Sequence, residues 1–231
     1  MDFFVSDLHL SDLSLESDNF RLHVNDFFKF VKYVKNVQGT LWCVGDFGSF
    51  WEYGFEKVMI GYRTLASKIR DIKLIPGNHD QIITDLADSL IWDIQSEQII
   101  LERGDNRFFI THGHQYDRFN KEGSSVGRIV SELWEYGEKF GLRDVLPWIQ
   151  KVLNLNLDAL DNKVAEDAQN NNCNYVIKGH DHIVGKRFSK AIKGVTIFDC
   201  GTWTIKYQQG FPFILIDDAG NPYREWFKGE A

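Results

Sequence analysis

Short β-rich runs, each about the length of one strand, recur through the chain: Phe3 to Ser6, Thr40 to Val44, Ile72 to Ile75, Arg107 to Thr111, Asn174 to Ile177, Val195 to Phe198 and Phe213 to Ile216. Helical patterns lie between the early ones. Leu22, Phe27, Phe28, Val31 and Val34 share one face of residues 21–37, and Phe55, Val58, Met59, Tyr62, Leu65 and Ile69 recur at helical spacing in residues 55–69. Such alternation implies a parallel sheet with crossover helices. The late part differs, because Val195 to Phe198, Phe213 to Ile216 and Pro222 to Phe227 follow one another with no helix between them. The expectation there is a second, more antiparallel sheet packed against the first. From about Phe119 to Gln169 the pattern is almost wholly helical, with Val126, Ile129, Val130, Leu133 and Trp134, then Val145, Trp148, Ile149, Val152 and Leu153 at helix spacing and Pro147 suited to a first turn. This block is expected to be a helical cap inserted over the site, with an extra core layer as the alternative.

The chain is 231 residues long, enough for one large domain with a buried core, and no linker or repeat divides it. With 26 basic against 33 acidic side chains it is acidic overall, which argues against a surface that coats nucleic acid by bulk charge. Three widely spaced cysteines, Cys43, Cys173 and Cys200, form neither a disulfide framework nor a thiolate zinc site, and the expected location is cytoplasmic. The opening residues lack the basic segment and uninterrupted apolar run of a signal peptide, and no apolar run approaches the ~20 residues of a membrane span.

Chemistry gathers where the strands end. After Phe3 to Ser6 comes Asp7-Leu8-His9, after Thr40 to Val44 comes Gly45-Asp46, and after Ile72 to Ile75 comes Gly77-Asn78-His79-Asp80. After Arg107 to Thr111 comes His112-Gly113-His114, and after Asn174 to Ile177 comes Gly179-His180-Asp181-His182. Six of the seven histidines fall in these clusters. Ligands of open α/β sheets bind at the carboxyl ends of strands, so these distant segments are expected to converge. Asp7, His9, Asp46, Asn78, His112, His180 and His182 together offer too many donors for one tetrahedral ion and about enough for two ions sharing a carboxylate. Asp46, alone in its cluster, is the natural bridge. Oxygen and imidazole donors without thiolate suit two divalent transition ions, manganese first, with iron, zinc or nickel as alternatives.

The order D-x-H, G-D, G-N-H-D, H-G-H, G-H-x-H, spread over residues 7–182, resembles the signature of calcineurin-like metallophosphoesterases. The resemblance implies a four-layer α/β/β/α sandwich and a dinuclear centre. One ion would be held by Asp7, His9 and His182, and the other by Asn78, His112 and His180, with Asp46 bridging. His79 matches the family histidine that binds no metal and donates a hydrogen bond or proton to the leaving oxygen. Many members carry a further acid three residues after the G-D aspartate, where this chain has Ser49; Asp80 is then the candidate to hold His79. The implied activity is hydrolysis of a phosphodiester, pyrophosphate or phosphomonoester, so the expected partner is a small phosphate-containing substrate.

The helical block and Trp51 are also similar to the UDP-2,3-diacylglucosamine hydrolase branch of that family, which would imply a lipid-accepting cap and peripheral membrane contact. Against that branch, the chain has His79 where the branch carries Arg. Arg118, Lys121 and Arg128 could meet phosphates or form a solvated helix face. A nuclease and a metal-stabilised scaffold are the remaining alternatives. Single residues have plainer readings: His23 is structural, Cys43 and Cys200 are small core residues, and His114 and Asp117 either touch the site or belong to a turn.

Overall fold

The structure, a computed structural model, describes residues 1–13, 19–85, 92–117, 157–182, 190–192 and 194–229. The first sheet is built around strand β1 (Asp2–Val5), whose four residues are all buried. Alternate side chains of a strand face opposite ways. Phe3 therefore joins the cluster on one face of the sheet and Phe4 the cluster on the other. Parallel pairing carries β1 to β2 (Thr40–Val44), then β3 (Lys73–Ile75) and β4 (Asp93–Ile94). Helix α1 (Val24–Asn36) makes the first crossover, and its buried Phe27, Phe30, Val31 and Val34 fall at helical spacing. Each contributes roughly 1.5–3 kcal/mol on burial. Between β2 and β3 run the helical turn α2 (Phe50–Tyr53), α3 (Phe55–Gly61) and α4 (Arg63–Lys68). The single helix expected over residues 55–69 is thus two, separated at Tyr62, which is buried and closes α3 by donating its N–H to the Val58 carbonyl. The preceding Gly61 weakens helix continuation there. A further short turn, α5 (Ile82–Asp85), follows β3.

The second sheet runs β5-β6-β7-β9-β8, from β5 (Gln98–Arg103), β6 (Asn106–Thr111), β7 (Tyr175–Lys178), β8 (Lys190–Ile192) and β9 (Val195–Asp199). β6, β7 and β9 are mutually parallel, whereas β5 and β8 run antiparallel at the two edges. Here the expected topology needs correction. Of the three late strands, only β9 lies in the second sheet; β10 (Phe211–Ile216) and β11 (Pro222–Phe227) return to the first, where β10 pairs antiparallel with β1. The free edge of β1 takes them, and their own hydrophobic pattern does not specify which of two sheets they join.

The sheets face each other across Phe4, Trp42, Val44, Ile75, Ile214 and Ile216 from the first and Phe108, Ile110, Ile177 and Phe198 from the second. Asp2 ties them at one edge, accepting hydrogen bonds from Trp42 Nε1 at 2.9 Å and Arg103 Nε at 2.6 Å. Outside the first sheet, α1, α3 and α4 close an aromatic-rich core that includes Phe30, Trp203, Phe213 and Phe227. Outside the second lies α6 (Leu157–Asn170), whose Val164, Ala165 and Ala168 meet Phe109, Val176 and Ile197. The result is the four-layer α/β/β/α sandwich. Most of the expected cap, together with Arg118, Lys121 and Arg128, lies outside the described residues; its last stretch, within α6, is an outer layer of the sandwich. Among the described residues no helix is long and apolar enough to cross a membrane.

Candidate metal centre

Each of β1, β2, β3, β6 and β7 ends in a polar turn, and these five turns meet. Beyond their last paired residues β1 and β2 stay zipped together: Asp7 N–H donates to the Gly45 carbonyl at 3.1 Å and His9 N–H to that of Asp46 at 3.0 Å. This registers the D-x-H turn against the G-D turn. The backbone does so in an unusual conformation, since Asp7, His9, Asp46, His180 and His182 all have positive φ, between 48° and 77°. Two glycines permit the close approach. A Cβ on Gly45, itself at φ 84°, would come within 2.2 Å of His112 Nδ1, and one on Gly77 within 2.2 Å of Asp46 Oδ1.

Both aspartates are oriented in the same way, with one carboxylate oxygen fixed and the other presented. Asp7 Oδ2 accepts the His180 N–H at 3.1 Å and the Ser6 hydroxyl, which leaves Oδ1 at 3.0 Å from His182 Nε2 and 3.7 Å from His9 Nε2. Asp46 Oδ1 accepts the His79 N–H at 3.0 Å, which leaves Oδ2 at 3.1 Å from His112 Nε2 and 3.8 Å from His9 Nε2. The imidazoles are aimed likewise. His112 donates Nδ1–H to the Val44 carbonyl at 2.9 Å, so its Nε2 is the atom left facing the site, and His9 Nε2 lies 3.0 Å from His182 Nε2. Asn78 Oδ1 is buried and accepts no hydrogen bond among the described residues.

Charge and burial follow from this packing. Burial works against ionisation of Asp7 and Asp46, yet His182 and His9 hold Asp7, and His112 and His79 hold Asp46, well below the usual carboxylate range. Burial opposes protonation of His112, but the Asp46 carboxylate overrides it and raises the ring to about 9. The pocket thus concentrates two ionised carboxylates that call for positive charge, and ligand donors of this kind exchange protons for a cation. One donor atom from each member lies within 4.8 Å of the others in Asp7/His9/His182, in His9/Asp46/His79 and in Asp46/His112/His180, so each set could hold a metal ion. Asp46 belongs to two of these sets. These carboxylate and imidazole donors, without thiolate, fit hard or borderline divalent ions.

Residues 3–218 match the profile of the calcineurin-like phosphoesterase superfamily domain. The chain belongs to this superfamily. Solved structures of similar fold include an archaeal phosphodiesterase at 17% identity, covering 97% of this chain and 98% of that one with a TM-score of 0.50. Others are the phosphoesterase Yfce from E. coli, at 13% identity, 98% and 99% coverage and a TM-score of 0.48, and zinc-complexed Vps29 from Entamoeba histolytica, at 15%, 97% and 96% coverage and a TM-score of 0.45. The search of curated proteins found no match.

Within this superfamily site, what holds His79 differs from the expectation. The Asp80 carboxylate accepts the backbone N–H groups of Phe47, at 2.7 Å, and Gly77, at 2.5 Å, bracing the two turns. Burial and the neighbouring Asp46 push it up to about 7. Glu52 pairs with His79, its Oε1 lying 2.5 Å from Nδ1. Glu52 stands on α2, six positions after Asp46, and nothing in its spacing marks it. Ser49 instead places its Oγ 3.4 Å from His9 Nδ1. Asp117 reaches the site, with Oδ2 3.2 Å from His180 Nε2. His114 is buried with its ring 5.5 Å from that of His112; burial, then the charge of His112, lowers it to about 3, so it is a neutral neighbour. His23 packs its ring 5.0 Å from Phe211, and Cys43 and Cys200 are buried thiols.

Proposed function

We propose that the chain is a metal-dependent phosphoesterase that hydrolyses a phosphodiester, pyrophosphate or phosphomonoester of modest size. The observation that carries this reading is the matched orientation of Asp7 and Asp46, each with one oxygen tied to a backbone N–H and the other turned toward imidazoles. Asp7, His9 and His182 would hold one divalent ion and Asn78, His112 and His180 the other, with the Asp46 carboxylate between them. Bound there, such ions polarise phosphoryl oxygens and lower the pKa of water, so that attack on phosphorus becomes feasible near neutral pH.

The protein's own groups supply orientation and the proton. Backbone N–H groups of His79 and His180 prevent the two carboxylates from rotating away, so the donors need no rearrangement during turnover. The His79 ring lies 4.9 Å from that of His9, at the edge of the donor array, and Glu52 buttresses its far nitrogen. His79 is thus placed to give a proton to the departing oxygen, and the Glu52 carboxylate stabilises the ring while it carries that proton. No side chain is required as a covalent nucleophile.

The test is to strip the protein with chelator, restore it with manganese, and assay a diester, a monoester, a nucleotide pyrophosphate and single-stranded DNA alongside metal analysis. Close to two ions per chain and manganese-restored turnover of at least one small ester are expected. No turnover of any substrate, or retention of one ion or none, would overturn the reading.

A further inference from the structure

Trp51 is the residue that the catalytic reading leaves unexplained. It stands on α2 between Phe50, which is buried in the core, and Glu52, which buttresses His79. Trp51 itself is 48% exposed and, among the described residues, belongs to none of the hydrophobic clusters. Yet it is held in place: Trp51 N–H donates to the His79 carbonyl at 3.2 Å, and the indole centroid lies 5.8 Å from the His79 ring. A large aromatic surface is therefore presented to solvent beside the group placed to protonate the leaving oxygen. Exposed aromatic faces of this kind bind planar rings by stacking, tolerating any ring with a π-face.

We infer that Trp51 is a specificity-determining platform for the leaving group, and that the preferred substrates are phosphate esters whose leaving group carries a planar aromatic ring. The inference rests on the phosphoesterase reading for the side of the phosphate on which His79 acts. A ring seated on Trp51 would place its ester oxygen toward His79. Nucleobases and simple aryl groups share this chemistry, and a matched set of esters separates them.

The experiment uses the full chain in manganese and compares adenosine 5′-monophosphate with ribose 5-phosphate, and phenyl phosphate with cyclohexyl phosphate. Both hydrolysis and calorimetric binding are measured for wild type, Trp51→Ala, Trp51→Leu and Trp51→Phe. Each ester is compared with itself across variants, so intrinsic leaving-group reactivity cancels. Stacking of one ring is worth a factor of about 5 to 150. Trp51→Ala and Trp51→Leu should therefore lose at least about 5-fold more kcat/KM and affinity on an aromatic ester than on its saturated counterpart, while Trp51→Phe keeps most of the preference. A preference seen with both pairs assigns any aromatic leaving group, and one confined to adenosine 5′-monophosphate assigns a nucleobase. Equal losses on aromatic and saturated esters, or no preference in wild type, would overturn the inference. If wild type hydrolyses none of the four, monoesterase activity is excluded and the diester and pyrophosphate assays decide the phosphoesterase reading, while the binding comparison still decides whether Trp51 is an aromatic platform. Should Trp51→Ala lose its native circular dichroism, the leucine and phenylalanine variants carry the comparison.

Discussion

Replacing Glu52 with Gln removes a charge from behind His79 and changes little else, because the two side chains are nearly isosteric. The Glu52 Oε1 to His79 Nδ1 distance is 2.5 Å, with His79 6% and Glu52 24% exposed. At that separation a unit charge pair is worth roughly 7 kcal/mol gross with an effective dielectric constant of 20. Desolvation and the water reaching Glu52 cut this down, and hydrogen bonds to charged groups contribute about 1.5–3 kcal/mol net. Stabilisation of that size, felt when His79 is protonated, corresponds to a loss in kcat of about 10- to 150-fold. His79 itself supplies on the order of 10²–10⁴-fold as a general acid, so Glu52→Gln removes part of that contribution and His79→Gln all of it. Because Glu52 acts through His79, the double variant should match His79→Gln within about 3-fold rather than multiply the losses. Steady-state kinetics of the four proteins, with metal content measured on each, provides the assay. A Glu52→Gln protein within about 2-fold of wild type, a multiplicative double variant, or loss of bound ions in Glu52→Gln would refute the reasoning.

Asp46→Asn should retain the fold but hold fewer ions and lose turnover by on the order of 10³ or more, as read by metal analysis and kinetics; unchanged metal content would remove Asp46 from its shared position. Gly77→Ala places a Cβ 2.2 Å from Asp46 Oδ1 and 2.4 Å from Asp46 N, a backbone atom that cannot swing aside. Overpacking of this kind costs about 1–3 kcal/mol, and calorimetry should show Tm lowered by roughly 2–12 °C. Lys178, 1% exposed, contacts Asp181 and lies 3.3 Å from Asp199 and 3.5 Å from Asp161. Lys178→Ala leaves those carboxylates facing one another, at a cost of about 3–5 kcal/mol and a Tm decrease of roughly 6–20 °C. A Tm within 2 °C of wild type would show that they are compensated in another way.

The strand ends were legible because their chemistry is local: a donor, a glycine and another donor within a few residues fold into one turn whatever the rest of the chain does. Thr40–Val44 and Pro222–Phe227 coincide with their expected spans for a similar reason, since short apolar or alternating runs can pair in only one way along their own length. Which sheet a strand joins is a different matter. β10 could have extended the second sheet as its sequence neighbour β9 does, and the choice was made by the unpaired edge of β1, more than 200 residues earlier. β5 went unread because its alternating half-buried and exposed residues, Gln98–Arg103, form a solvated edge with little apolar contrast. Glu52 was invisible because it meets His79 only where the turns after β2 and β3 approach, an encounter spanning 27 positions that neither segment encodes alone.

The left-handed backbone at Asp7, His9, Asp46, His180 and His182 bears on how such a protein can change over generations. Each of these residues holds a conformation that costs an ordinary side chain about 1–3 kcal/mol and glycine almost nothing. Exchanging any one of them for glycine would therefore ease the backbone at the same stroke that it deletes a donor. At Asp7 and Asp46 the same exchange also orphans the His180 and His79 N–H groups that their carboxylates accept, at about 1–3 kcal/mol each, so there the side chains that make the site also hold its fold and resist that drift.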